Sequence, residues 1–370
     1  MNGTQGQLRE RTGRDPFGAR EMLAIPPAIC GIHTVNVRTS EVAGCMLMPG
    51  PAMDRIEVFW QGRPAGMAKQ VPASYLTPTH PWMPHAADSG FRARIPVPAE
   101  GAGRLDVVGY RSGTAAARAS MLVFGRSEWA RPLPPVHLMR RVSGQEGDGF
   151  RLRAMRQLTD VVDACERNGV ELSGKRLLDW GCGCGALTSL LLRHVPTAQI
   201  DGCDIDGEAV EWCKANLPQA KFRHIGTEPH TGYEDGTFDV VFGCSVLTHL
   251  SGAMQQAWLA ELRRILRPGG TAVVSTHGRY ALRLAFPAPL SHSRGDRWLH
   301  LKRRLAFELA GFVDAGSDGA LDGIAPGGYY RAVFQTPWHV RLRWSKYFRI
   351  VQQVEHALTG HQDIVVLKRS

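Results

Sequence analysis

Hydrophobic and polar positions follow two different periods along this chain. Over residues 32–125 short runs alternate between apolar and polar: IHTVNVR (32–38), RIEVFWQG (55–62), FRARIPV (91–97), RLDVVGYR (104–111) and RASMLVFG (118–125). Successive side chains on a strand point to opposite faces, so a period of two marks strands with one face buried. Gly62-Arg63-Pro64 and Asp88-Ser89-Gly90 separate such runs as turns. The pattern predicts an antiparallel β-sandwich of about one hundred residues, placed at 29–128.

Beyond residue 150 the period lengthens and strands alternate with helices. A helix over 150–167 leads to a buried strand ending at Trp180, followed by the amphipathic ALTSLLL (186–192). AQIDGCDID (198–206) predicts a second strand, GEAVEWCKANL (207–217) a helix, and KFRHIG (221–226) a third strand. TFDVVFGCSVLTHL (237–250) reads as a fourth strand running into a turn. AMQQAWLAELRRILRPGG (253–270) reads as a helix stopped by Pro268, Gly269 and Gly270, and TAVVSTHG (271–278) as a fifth strand. Such alternation predicts an α/β fold with a doubly wound parallel sheet. A long insertion, about 278–328, holds the helical DRWLHLKRRLAFELAG (296–311) and a glycine-rich stretch (317–328). YYRAVFQ (329–335), a helix-like TPWHVRLRWSKYF (336–348) and two strands, RIVQQVEHAL (349–358) and QDIVVLKR (362–369), complete the sheet.

Between the two patterns lies a stiff connection, RPLPP (131–135), within a linker over 129–149. Arg141, Val142, Ser143 and Gly144 in it are either lid residues over a ligand or a plain polar connection. Residues 1–28 are polar, broken by Pro26-Pro27, and read as a flexible lead-in.

Composition narrows the class. A chain of 370 residues can bury two cores, and its mean hydropathy of −0.19 is that of a globular protein. No apolar run approaches the ~20 residues of a membrane span, and the polar start offers no signal-peptide core. Five of the eight cysteines (Cys182, Cys184, Cys203, Cys213, Cys244) fall inside the strand–helix blocks, which is not a disulfide framework. These features together predict a cytoplasmic protein. A formal charge of +10 favours acidic partners, yet the arginines are scattered, with no basic tail or aromatic ladder, which argues against nucleic acid. The oligomeric state is open.

The densest chemistry sits at LLDWGCGCGALTSLLL (177–192). Gly181, Gly183 and Gly185 follow a buried strand and open a helix, where backbone must approach a ligand. The spacing alone also satisfies a dinucleotide fingerprint. Asp179 tips the balance, because a carboxylate before the turn repels a pyrophosphate and suits a ligand carrying an ammonium group. Asp204, about twenty residues on, stands where an acid binds ribose hydroxyls.

Taken in order, LDWGCGCG, GCDID, FDVVFGCSVLTHL and LRRILRPGG resemble the blocks of class I S-adenosylmethionine-dependent methyltransferases, over about 149–370. The resemblance implies a Rossmann-like seven-stranded sheet, here preceded by the smaller β-sandwich. It also implies S-adenosyl-L-methionine as cofactor, bound by Asp179, Gly181, Gly183, Gly185 and Asp204. Ile205 would flank the adenine, and Cys244 and Ser245 would line the methionine side. Asp206 either shares the ribose or caps the next helix.

A hydroxyl acceptor needs a base for its proton. His277 follows the fifth strand and His249 ends the fourth-strand turn, both on the sheet edge where ligands bind. They are the catalytic candidates, His277 first, with His230 behind them. Cys182 and Cys184 have no second pair at zinc spacing, so no metal is expected. DRIEVFWQGRPAGMA (54–68) and DSGFRARIPV (88–97) resemble immunoglobulin-like accessory domains of bacterial glycan-modifying enzymes. That resemblance implies O-methylation of a sugar hydroxyl in surface-glycan assembly, with a glycan or small molecule as acceptor. A small metabolite or RNA acceptor, or a nicotinamide-dependent dehydrogenase, are the alternatives.

Overall fold

The computed structural model describes residues 29–78, 80, 83, 85–286 and 294–370, with side chains of 294–301 left outside. The expected lead-in (1–28) and residues 287–293 of the insertion fall outside the described residues.

Eight strands occupy the first part: β1 Ile29–Asn36, β2 Glu41–Leu47, β3 Arg55–Trp60, β4 Arg63–Met67, β5 Lys69–Val71, β6 Gly90–Arg94, β7 Ala102–Arg111 and β8 Thr114–Phe124. They form two four-stranded antiparallel sheets, ordered β1-β2-β6-β5 and β4-β3-β7-β8. Alternation works as read on β7, where Leu105 and Val107 turn into the core. It misses β2, β4 and β5 for physical reasons. Four successive residues of β2 (Gly44 to Leu47) are buried, and all five of β4 are exposed, so neither has one wet and one dry face.

Three helices follow: α1 Arg126–Trp129, α2 Val136–Ser143 and α3 Gly147–Arg167. The doubly wound unit then runs β9 Arg176–Trp180, α4 Ala186–His194, β10 Gln199–Asp204, α5 Gly207–Asn216, β11 Lys221–His224, β12 Phe238–Gly243, α6 Gly252–Ile265 and β13 Leu266–Thr276. After it come α7 Arg279–Ala285, α8 Arg294–Ala310, β14 Phe312–Ser317, β15 Arg331–Gln335, α9 Pro337–Trp344, β16 Arg349–Leu358 and β17 Gln362–Lys368. The large sheet is ordered β11-β10-β9-β12-β13-β17-β16, with β17 antiparallel to both neighbours. The strand order reverses between β9 and β12, and an open sheet holds its ligand in the crevice at that switch. Beyond the β-sandwich, α1, α2, α7 and β14 escaped the sequence reading. β14 pairs with β15, so the YYRAVFQ segment builds a separate hairpin and not part of the large sheet.

The two parts share a core. Buried apolar side chains run without a break from Val58, Leu105 and Met121 through Met155, Leu158 and Val161 of α3 to Leu177 and Phe242 of the large sheet. Hydrogen bonds stitch the seam. The Leu122 N–H donates to Thr159 Oγ1 at 2.7 Å, and Arg104 grips Asp163 with two bonds of 2.6 and 2.9 Å. The proline-rich stretch is held down as well, since the Arg151 guanidinium donates to the carbonyls of Glu128 and Arg131.

Candidate cofactor and acceptor site

A cleft of about 1140 Å³ opens at the carboxyl ends of β9, β10 and β12. Its floor is the turn between β9 and α4. Asp179 is buried, and its carboxylate accepts a 2.7 Å hydrogen bond from Thr188 Oγ1 of α4. Burial first, and then the neighbouring Asp204, push its pKa up to about 6, against the pull of Thr188. Gly181 and Gly183 lie at φ 75° and 51°. A Cβ on Gly181 would stand 2.3 Å from Val246 Cγ2, and one on Gly183 2.7 Å from Val142 Cγ1, so both positions demand glycine twice over. Gly185 differs. It caps α4 with its back to Leu217 and Cys213, and it does not line the cleft.

Four N–H groups of this turn are already engaged. Those of Gly181 and Cys182 donate to the Cys203 carbonyl, Gly183 N–H donates to Asp204 Oδ2 at 2.7 Å, and Gly185 N–H donates to the Cys182 carbonyl. A dinucleotide site needs such donors for its pyrophosphate. This turn offers the buried Asp179 and half-buried Asp204 carboxylates in their place, which suits a hydroxyl-rich, cationic ligand.

Asp204 ends β10 and also accepts the Asp206 N–H at 2.8 Å. Burial raises its pKa, and the two backbone donors oppose that rise. Ile205 and Ile225 give the cleft an apolar wall beside it. Asp206 takes the capping role, accepting the Ala209 N–H at 3.2 Å, and it pairs with Arg141 at 2.8 Å. Arg141 thereby ties α2 down across the glycine turn. Arg141, Val142 and Ser143 line the cleft, whereas Gly144 is the left-handed residue that ends α2.

Cys244 and Ser245 form the opposite wall, after β12. Ser245 is held at φ 60°, its N–H donating to Ser275 Oγ at 2.7 Å and its hydroxyl accepting from the Gln362 side-chain amide at 2.9 Å. Strain of this kind costs about 1–3 kcal/mol and collects at functional sites. Arg153 and Gln157 of α3 reach the same wall, with Tyr330. Arg153 has no ion-pair partner among the described residues, and burial lowers its pKa. Neither α3 residue was singled out from sequence. Their signal is faint: two polar residues four apart on a helix that is mostly buried.

The histidines stand behind this wall. Neither His249 nor His277 lines the cleft, and His230 does not either. His249 stacks on Tyr330, rings 4.0 Å apart and 12° from parallel, so Tyr330 lies between it and the cleft. Its Nδ1 is 3.0 Å from the Arg331 carbonyl, an acceptor, so Nδ1 carries the proton and Nε2 is bare. Asp318 Oδ2 lies 3.9 Å from the same Nδ1. His277 stacks on Phe334 at 5.3 Å, and burial with the flanking His249 and His361 lowers its pKa to about 3. Among the described residues no group of three His, Cys, Asp or Glu side chains is arranged to hold a metal ion, and no helix is long and apolar enough to cross a membrane.

Comparison with known proteins agrees with this chemistry. Residues 177–270 match a family model described as "Methyltransferase domain". "Phthiotriol/phenolphthiotriol dimycocerosates methyltransferase 1" of Mycobacterium ulcerans (strain Agy99) is 38% identical over 103 residues, 27% of this chain and 37% of that protein. A "Probable S-adenosylmethionine-dependent methyltransferase" of Mycolicibacterium smegmatis is 29% identical over 185 residues, 46% of this chain and 69% of that protein. The chain thus spans little more than a third of the first relative's length. A solved S-adenosylmethionine-dependent methyltransferase of Mesorhizobium loti aligns with a TM-score of 0.40 and 17% identity, over 57% of this chain and 98% of that one. The chain carries a methyltransferase domain, an enzyme domain whose cofactor is S-adenosyl-L-methionine.

Proposed function

We propose that this chain transfers a methyl group from S-adenosyl-L-methionine to a hydroxyl oxygen of an acceptor. The observation that carries the reading is the glycine turn in which the N–H groups of Gly181, Cys182, Gly183 and Gly185 are engaged, set between buried Asp179 and half-buried Asp204. The cofactor brings an activated methyl on a sulfonium, so the chain mainly positions and desolvates. Asp204 would hold the ribose hydroxyls, Ile205 and Ile225 the adenine, Asp179 the positive end, and Ser245 with Cys244 the methionine side. Gly181 and Gly183 allow the backbone to come close, while Gly185 sets the helix behind them.

With the cofactor bound, the acceptor oxygen would bond to the methyl carbon as the carbon–sulfur bond broke, and the hydroxyl proton would have to leave. For that proton the bare Nε2 of neutral His249, backed by Asp318, is a better base than His277, whose pKa near 3 leaves little driving force. Tyr330 would have to swing aside or relay the proton.

For the acceptor we propose a sugar hydroxyl of a surface glycan, on the resemblance of the all-β part and on Tyr329 and Tyr330 in the cleft wall, whose rings can stack on sugar faces. A lipid hydroxyl is the second reading, favoured by the name of the Mycobacterium ulcerans relative. Supplying labelled cofactor with sugar and lipid acceptors in parallel decides between them. Label in neither product overturns hydroxyl methylation.

A further inference from the structure

The stretch after β13 that brings Tyr329 and Tyr330 to the cleft also builds an outer surface with a different character. On α8, Leu305 and Leu309 are 49% and 78% exposed, one turn apart, on the side opposite buried Phe307. On α9, Trp338 and Leu342 are 43% and 66% exposed, again one turn apart, while Val340 and Trp344 face inward. The two pairs adjoin. Gly311 follows α8 directly, and a Cβ on it would stand 2.5 Å from the Trp338 ring, so the indole lies against the turn two residues after Leu309. Gly311 N–H donates to the Phe307 carbonyl at 3.0 Å and Thr336 N–H to the Gly311 carbonyl at 2.8 Å, which locks α8 to α9.

Basic side chains surround this apolar ridge. Lys302, Arg303 and Arg304 lie on α8, and Arg341, Arg343, Lys346 and Arg349 lie on or just after α9. Arg341, Arg343 and Arg349 have no carboxylate within ion-pair distance among the described residues. Of the two acids on α8, Asp296 and Glu308, the described one, Glu308, is already taken by Arg279. A groove beside α9 adds Arg263 to Arg341, Lys346 and Arg349 along one wall.

A tryptophan and leucines ringed by unpaired arginines match one kind of partner, a bilayer face that is apolar within and anionic at its headgroups. We propose that α8 and α9 form a peripheral docking surface for an anionic lipid membrane. The cluster of Arg341, Arg343, Lys346 and Arg349 meets the lipid phosphates. Leu309, Trp338 and Leu342 enter the headgroup boundary, where indole rings settle. Docking there sets the tyrosine-bearing stretch between α8 and α9 beside the membrane, so an acceptor anchored in lipid meets the cleft without leaving the bilayer. The surface stands independently of the methyl-transfer reading.

Sedimentation of the full chain with phosphatidylcholine vesicles, with and without phosphatidylglycerol, tests it. The chain should pellet with the anionic vesicles, be released by salt, and show a blue-shifted tryptophan emission. Arg341→Glu with Arg343→Glu should weaken the partition at least about tenfold, since each basic residue near such a surface contributes on the order of one kcal/mol. Leu309→Ser with Leu342→Ser should weaken it comparably. Both doubles change exposed positions, and unchanged melting with unchanged S-adenosylhomocysteine binding separates lost docking from lost fold or lost cofactor site. No pelleting of the wild-type chain, equal pelleting with neutral vesicles, or variants that pellet like wild type overturn the proposal. So does wild-type chain that self-associates through Leu342 without binding vesicles, which makes the surface an interface between copies.

Discussion

Lowering the pH through 6 should switch off cofactor binding through a single carboxylate, Asp179. Burial and the nearby Asp204 raise its pKa from 3.8 to about 6 in the empty cleft. A ligand bearing a sulfonium and an ammonium favours the ionised form, so binding must first remove any proton present. The affinity is divided by one plus the ratio of protonated to ionised carboxyl. That divisor is near one at about pH 7 and about eleven at about pH 5, a tenfold loss across the window. The sign follows from the direction of the shift: ionised above the raised pKa and binding, protonated below it and weak. Calorimetry with S-adenosylhomocysteine, which keeps the ammonium, reads it directly. Asp179→Asn keeps an acceptor for Thr188 and removes the charge. Its affinity should be about tenfold or more below wild type at neutral pH, from a lost charge-assisted contact of roughly 1.5–3 kcal/mol. It should also be nearly level with pH, Asp204 supplying the residual slope. A wild-type affinity constant over this window, or an unaltered slope in the variant, would refute the reasoning.

Three further outcomes are expected. Asp204→Ala removes the ribose contacts and orphans the N–H groups of Gly183 and Asp206, so cofactor affinity in calorimetry should fall by at least about tenfold, with unchanged affinity removing Asp204 from the site. His249→Ala should cut turnover strongly with cofactor affinity kept, and His277→Ala should cut it less; the opposite order would return the base to His277. A chain starting near Pro132 would strip β8 from α3, leaving Leu158 and Val161 uncovered and Asp163 without Arg104, so it should lose its cooperative melt, whereas melting and cofactor binding like the full chain would show that the seam is dispensable.

Where the candidate residues are neighbours in the chain, the sequence located most of them on the cleft. Asp179, Gly181 and Gly183 occupy one strand-to-helix turn, and Asp204 with Ile205 ends the next strand, so short-range pattern placed all five on the cleft. What the pattern could not reach was decided by tertiary contact. Composition alone made RPLPP a stiff linker between two patterns, whereas Arg151 pins it and α3 serves both cores. His277 was expected at a strand end and is there, but Phe334 covers it and its pKa falls, because β15 returns from far along the chain to pack against it. Arg153 and Gln157 look like the polar stripe of an ordinary amphipathic helix until the sheet edge is set beside them.

Calorimetric titration of the full chain with S-adenosyl-L-methionine, and separately with NAD, tests the central claim most directly. Engaged N–H donors at Gly181, Cys182, Gly183 and Gly185 and the two acids Asp179 and Asp204 at the turn predict one-to-one binding of S-adenosyl-L-methionine that Asp204→Ala weakens, and no heat from NAD. Binding of NAD with none of S-adenosyl-L-methionine would contradict the account.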